Sequence, residues 1–421
     1  MLIHSAAQLL TLEGPPQRRA RLGSLAIIPD GALLIRDDVI EVVGSSSELR
    51  ASYGDEEVLD TSGCVVMPGF VDPHTHAVWA GDRAAEFEMR LEGKTYLEIL
   101  EAGGGILSTV QQTREAAVDD LIISGRERLG RMFAHGTTTV EVKTGYGLEI
   151  DTELRMLEAI LQLQDEGPWD LAPTFMGAHA VPPEYQGDVD AYTAHLCTNM
   201  LPAVKAWCVT KAGDLPLPFV DVFCETGAFD LDQTRRILET AKSLGFPLKV
   251  HTDEFDNLGG TRLAVELGAV SADHLVATSA DDIRALGESD TVAVGLPGTP
   301  FGLAEEKYTP AGDIIAAGGI LALASDLNPG TTYCESMQMV IAIACRYMRL
   351  TPAQAIAAAT INAAAAIARD DRVGSLEAGK QADVLVLDVQ DYRHLGYRYG
   401  TNLVRTMVKK GIVYPVSRPL S

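Results

Sequence analysis

From about residue 65 to residue 330 the chain alternates short apolar runs with segments whose apolar positions recur every three or four residues. Short apolar or β-branched runs bounded by Gly, Pro or Asp read as buried strands, and the longer recurrence reads as amphipathic helix. The first strand lies in CVVMPGFVDPHTHAVWAGD (64–82). Seven more follow in TTTVEVKTGYG (137–147), LAPTFMGAHA (171–180), PFVDVFCETGAF (218–229), FPLKVHTDEF (246–255), GAVSADHL (268–275), TVAVGLPGTP (291–300) and GILALASDLNPG (319–330). Helical patterns such as DLIISGRERLGRMFAHG, DTELRMLEAILQLQD, LDQTRRILETAKSLG and GTRLAVELG separate most of them. Eight strands with intervening helices predict an α/β fold, a closed (β/α)8 TIM barrel. The first connection, about 60 residues with Gly103-Gly104-Gly105 inside it, exceeds a minimal link, so part of it is expected over the barrel mouth.

The two ends carry a different pattern. SLAIIPDGALLIRDDVIEVVG holds two apolar runs around Pro29-Asp30-Gly31, read as a turn, and a β-branched strand at Val39–Val43. Beyond Val373 come a Gly-rich stretch, the strand Val384–Leu387 and LVRTMVKKGIVYP. The simplest packing joins residues 1–66 and 373–421 in one small β-sandwich beside a catalytic barrel of residues 67–372. ESMQMVIAIACRYMRL (335–350) reads as an apolar helix packed on the barrel. Thr351-Pro352-Ala353-Gln354 supplies an N-cap, an N1 proline and an N3 glutamine for the structural, Ala-rich helix that follows.

Length and charge narrow the function. The 421 residues accommodate a barrel and a second module. With 58 acidic against 34 basic residues the formal charge is −24, which repels phosphate backbones and anionic lipid, so neither nucleic acid nor membrane is expected as a partner. Cysteines 64, 197, 208, 224, 334 and 345 have neither CxxC nor zinc-finger spacing and read as buried thiols in a reducing compartment. The N-terminus lacks a basic segment followed by an apolar one. Together these predict a cytoplasmic protein.

Candidate chemistry gathers at the strand ends, where barrel enzymes keep it. His74 and His76, two apart, share a face of an extended strand. Ordinary strand or turn histidines would satisfy that spacing too. His179, His251 and His274 also end strands, as do Glu141 or Lys143, Glu225, Pro297 and Asp326. His4, His135, His195 and His394 fall elsewhere and read as structural or solvated, with His135 capping a helix end. Asp326 follows the apolar run LALAS, where an unpaired carboxylate is costly unless a metal or cation offsets it. His74, His76, His251 and Asp326 form a three-nitrogen, one-oxygen set suited to Zn2+ or Fe2+, with Fe3+ a further option, in a hydrolytic role.

PGFVDPHTH, the histidines of strands five and six, and Ser325-Asp326 resemble the amidohydrolase superfamily, whose members pair a metal-dependent barrel with a β-sandwich built from both chain ends. Within it, FVDPHTHAVWAGDRAAEFEMR, EVKTGYGL, FMGAHAVPPEY, DVFCETGAF, HTDEF and ASDLNPGT are similar to the members that open a cyclic amide in histidine degradation. That resemblance spans essentially the whole chain. It implies hydrolysis of 4-imidazolone-5-propanoate to N-formimidoyl-L-glutamate by metal-activated water. It further implies metal ligands at His74, His76, His251 and Asp326, and substrate contacts at Arg83, Tyr146, His179, Glu254, Asn328, Gly330 and Thr331. Glu254, His274 and Asp326 would then share the acid–base and polarising work. Arg83 can offer a fork to the propanoate, although an ion pair with Asp82 or Glu86 would also explain it.

Strand four ends in Cys224-Glu225 where two-metal members usually carry a modified lysine, which favours one metal unless Glu225 bridges a second. The alternatives are another cyclic amidohydrolase, a nucleobase deaminase, or a non-catalytic scaffold. A deaminase leaves Arg83 and Tyr146 without purpose, and scaffold relatives typically lose ligands that this chain keeps. The helix at 335–350 offers a surface for a homodimer or for packing within the chain.

Overall fold

Two sheets divide the strands, and the alternation of side chains along each decides what it packs on. The computed structural model describes residues 1–94, 98, 103–211, 213 and 215–416. The N-terminal segment supplies β1 (Leu2–Leu10), β2 (Ile27–Arg36), β3 (Val39–Ser45), β4 (Val58–Asp60) and β5 (Val65–Pro68). The barrel follows as β6 (Phe70–Asp72), β7 (Thr137–Lys143), β8 (Asp170–Ala178), β9 (Phe219–Cys224), β10 (Lys249–Thr252), β11 (Ser271–His274), β12 (Val292–Gly295) and β13 (Ile320–Leu323). The C-terminal segment adds β14 (Val384–Leu387), β15 (Val404–Lys409) and β16 (Ile412–Pro415).

The first sheet runs β16-β15-β14-β5-β1-β2-β3, with β4 beside β1, so strands from both ends interleave. It bends back on itself where Val39 bridges Gln381 just before β14. Period-two alternation splits its faces. Val66, Val384, Val386 and Val408 join Ile3, Leu9 and Leu33 in a core of the sheet's own. Val65, Met67, Leu385 and Met407 face the main core shared with the barrel helices.

One expectation is corrected. Pro29-Asp30-Gly31 is not a turn but lies inside β2, with Asp30 at a φ of +46°. Gly31 pairs with Ala6 in the bulged β1–β2 ladder, and a Cβ there would sit 2.4 Å from Leu9 Cβ. The glycine permits a close strand approach, a use of turn-type residues that the sequence pattern does not distinguish.

Buried charge fastens the sheet to the barrel. Lys409 Nζ donates to Asp170 of β8 at 2.7 Å and to Asp383 at 2.6 Å, and Lys410 Nζ reaches the other Asp170 oxygen at 2.6 Å. Lys409 holds the Asp170 carboxyl well below its usual range, against the effect of burial. A depressed carboxylate stabilises the fold above its unfolded pKa of about 3.9, and that contribution is lost only as pH falls toward the depressed value. Lys409→Met leaves two carboxylates facing one another and is expected to cost about 3–5 kcal/mol at neutral pH, read as a lower denaturant midpoint.

The eight barrel strands are parallel neighbours in chain order, β6 through β13. Closure occurs just beyond the strand ends, where Asp326 N donates to His74 O at 3.1 Å and His76 N to Leu327 O at 2.8 Å. The floor is plugged by the helix Ile361–Ala365, whose Ala363 and Ala364 pack on Val71, Val292 and Ile320. The helix Pro352–Ala358 opens with the reciprocal Thr351–Gln354 cap. Met337–Tyr347 is helical and largely buried. Among the described residues no helix is long and apolar enough to cross a membrane.

Candidate metal centre and active site

The barrel mouth brings His74, His76, His251, His274 and Asp326 together. Ring centroids of His74 and His251 lie 4.2 Å apart, and His274 is 5.4 and 5.2 Å from them. Asp326 Oδ1 is 3.5 Å from His74 Nε2 and 3.9 Å from His76 Nε2. Two overlapping trios, His74–His76–Asp326 and His74–His251–His274, each place their donor atoms within 4.8 Å. The four residues read as ligands therefore spread over both trios, and His274 completes the second.

This donor set fits a divalent cation. His74 Nε2 and His251 Nε2 are buried with no hydrogen-bond partner. Burial holds His74, His76 and His274 well below the ordinary imidazole range, so their rings are neutral and their lone pairs available. Buried Asp326 beside the rings and Glu141, Asp221 and Asp273 below them outnumber Lys143 and Lys249, an imbalance a cation would relieve.

Backbone strain positions several of these groups. His274 has a φ of +82°, Asp326 +54° and Asp253, beside Glu254, +56°. Such conformations cost about 1–3 kcal/mol each and persist where surrounding contacts impose them. Here Thr309 Oγ1 donates to His274 O at 2.6 Å, and Thr299 Oγ1 donates to Asp326 Oδ2 at 2.6 Å. Burial pushes the Asp326 carboxyl up to about 6, with the Thr299 bond acting the other way.

The remaining site residues line two sides of this cluster. The His179 ring stacks on His76 at 4.7 Å with its Nδ1 3.0 Å from Gly145 O, and burial lowers it to about 3. Tyr146 is 5.7 Å from His76 and 5.3 Å from His179, centroid to centroid. Opposite, Glu254 Oε2 is 3.6 Å from His274 Nδ1, and burial, reinforced by Asp326, raises its carboxyl far above the usual range. His274 and Glu254 also line a cavity of about 460 Å³ that continues past Thr299 and Lys307.

Arg83 is not a free fork. Its Nε and Nη2 donate to the two Glu86 oxygens at 2.8 and 2.5 Å, so the sequence's second explanation for Arg83 holds in this state. Glu86 also accepts from Gly105 N at 2.8 Å, which hooks the glycine run of the long connection to the site. Arg83 Nη1 lies against Gly330, where a Cβ would come within 2.3 Å. Asn328 is turned into its own loop: Nδ2 donates to Asp326 O and Thr331 Oγ1, and Oδ1 accepts from the Gly330 and Thr331 amides. Glu225 accepts from the amides of Thr226, Phe255 and Asp256, so its carboxylate clamps the Glu254 loop.

Two carboxylates escaped the sequence reading. Asp273 Oδ2 lies 2.6 Å from His74 Nδ1, and Asp221 Oδ2 lies 2.9 Å from His251 Nδ1. Their signal was an acid inside an apolar strand, PFVDVF and SADH, at positions that face the barrel interior.

Comparison with known proteins agrees with this architecture. The sequence profile of the amidohydrolase family matches residues 228–416. Imidazolonepropionase from Herpetosiphon aurantiacus is 52% identical, the alignment covering 98% of this chain and 96% of that protein. Imidazolonepropionase from Chloroflexus aggregans is 48% identical, with 98% of each covered. Among solved structures, guanine deaminase from E. coli superposes with a TM-score of 0.74 at 14% identity, covering 99% of this chain and all of that one (100%). A zinc-complexed variant of atrazine chlorohydrolase from Arthrobacter aurescens gives 0.72 at 15% identity, covering 99% and 97%. These two distant neighbours share the fold, while the sequence relatives decide the membership: the chain belongs to the imidazolonepropionase family.

Proposed function

We propose that this chain hydrolyses the ring amide of 4-imidazolone-5-propanoate, giving N-formimidoyl-L-glutamate in histidine degradation, with one divalent metal per chain. The observation that carries the reading is that buried His74 Nε2 has no hydrogen-bond partner, lies 3.5 Å from Asp326 Oδ1 and shares a donor cluster with His251, in a chain of this family. The metal, Zn2+ or Fe2+, would be held by His74, His76, His251 and Asp326, and when bound it would supply an activated water and a Lewis acid. Imidazole-rich donors suit either ion, and zinc stands in the atrazine chlorohydrolase neighbour.

The chain's own groups divide the rest. Arg83, at the mouth beside Gly330 and Thr331, takes the propanoate. Asn328 keeps that loop in place. Tyr146 and neutral His179 donate or accept hydrogen bonds at the ring without adding a charge to compete with Arg83. Asp326 takes the proton of the attacking water as its oxygen adds to the ring carbonyl carbon. It returns a proton to the ring nitrogen as the C–N bond breaks, leaving a new carboxylate. His274 polarises the carbonyl oxygen, and Glu254, whose carboxyl burial raises above its usual range, positions the ring through a hydrogen bond. One metal suffices because Glu225 is committed to three backbone amides and Lys143 to carboxylates.

The test compares substrates. Turnover of 4-imidazolone-5-propanoate, followed by loss of its absorbance, should exceed that of guanine, adenine or cytosine by at least about 10³-fold, as a site that hydrogen-bonds specific groups discriminates. Nucleobase deamination at an equal or higher rate would replace this reading with the deaminase one.

The same reading takes the enzyme as a cytoplasmic homodimer. Its cysteines are free thiols, Cys64, Cys208 and Cys224 buried as expected and Cys197, Cys334 and Cys345 only partly so. Tyr347, Tyr397 and Tyr399 are exposed at the end of the helix Met337–Tyr347, where Arg346 lies over the Tyr399 ring at 4.7 Å. Exposed aromatics of this kind are typical interface anchors. Replacing Tyr397 and Tyr399 by Ser is expected to shift sedimentation from dimer to monomer, and an unchanged dimer would move the interface elsewhere.

A further inference from the structure

The barrel interior directly beneath the metal ligands is ionic rather than apolar. Lys143 Nζ sits 2.6 Å from Glu141 Oε1 and 2.8 Å from Asp221 Oδ2, all three fully buried. Asp221 in turn accepts from the His251 amide through Oδ1 at 3.1 Å, while its Oδ2 lies 2.9 Å from His251 Nδ1 without hydrogen-bond alignment. The other arm is built alike. Lys249 Nζ is 3.6 Å from Asp273 Oδ2 and donates to Pro73 O, the carbonyl preceding His74, at 2.8 Å. Asp273 then holds His74 Nδ1. Glu141 joins the arms, since its second oxygen is 3.7 Å from Lys249 Nζ, and Lys143 itself lies 3.9 Å from Asp273.

Each carboxylate faces the ring nitrogen opposite the one left for the metal. A carboxylate at Nδ1 keeps the proton there, leaves Nε2 as the lone-pair donor and fixes the ring plane. The two ammoniums offset the charge of the carboxylates packed against them away from solvent.

We propose that Lys143, Lys249 and Glu141, acting through Asp221 and Asp273, are positioning residues that set the affinity of the metal centre by holding His251 and His74 as one unit. The proposal rests on the ligand reading given above. All five side chains are fully buried beneath the histidine rings.

The full-length chain is stripped with a chelator and titrated with Zn2+ against a chromophoric competitor. Asp221→Asn and Asp273→Asn should each weaken zinc binding about 10–100-fold. Lys143→Met, which removes no ligand, should weaken it about tenfold. Lys409→Met, an equally buried lysine in the other sheet, should lower the melting temperature of the apo form without changing zinc affinity. Zinc affinity within twofold of the parent in the Asn variants, or a loss in Lys409→Met equal to that in Lys143→Met, overturns the proposal. If Lys143→Met does not fold, the near-isosteric Asn variants decide it alone. A parent chain that binds no stoichiometric zinc or iron would instead refute the ligand reading.

Discussion

Asp326→Asn is expected to lower kcat for ring opening by about 10³-fold, within the 10²–10⁴ range of a positioned acid–base group, at equal metal content. The carboxylate is buried beyond β13, its backbone is held at a φ of +54°, and one oxygen is bonded to Thr299. The other oxygen faces His74 and His76. Asparagine keeps the shape and the oxygen but cannot take a proton. If the variant turned over within tenfold of the parent, the proton would have to pass through Glu254 or His274, and the roles given to the three would be redistributed.

Arg83→Met should reduce kcat/KM by about 2–5 kcal/mol of lost charge-assisted binding, on the order of 30- to several-thousand-fold, mostly as KM. Arg83→Lys should recover little, because a point charge cannot reproduce a planar fork wedged against Gly330. The structure makes this a sharp test, since Arg83 already has a carboxylate partner in Glu86. Were the guanidinium merely structural, Arg83→Met would lower stability and leave KM unchanged. If it is the anchor, the loss should vanish for a substrate whose carboxylate is esterified.

The barrel was legible because its strands end in chemistry as well as in turns. Strand spacing placed His74, His76, His179, His251, His274 and Asp326 at one rim, the family resemblance singled out four of them, and the Thr351–Gln354 cap could be read from four residues. What escaped the reading depends on tertiary pairing. Pro29-Asp30-Gly31 carries turn chemistry, yet the β1 ladder uses it as a bulged strand. Asp221 and Asp273 stand out within apolar strands, but that their oxygens meet the Nδ1 atoms of His251 and His74 on other strands is fixed by barrel closure. Arg83 shows the same limit differently. Its local spacing to Glu86 permitted both explanations, and the ion pair, the Gly105 amide and the Gly330 contact all coexist.

The most direct measurement is product analysis with the purified, metal-loaded chain and 4-imidazolone-5-propanoate in isotopically heavy water. The expected product is N-formimidoyl-L-glutamate carrying one heavy oxygen in its new carboxylate, formed without ammonia release. Chelation should abolish its formation, and one equivalent of Zn2+ or Fe2+ per chain should restore it. Release of ammonia, or turnover undiminished in fully stripped protein, would contradict the account.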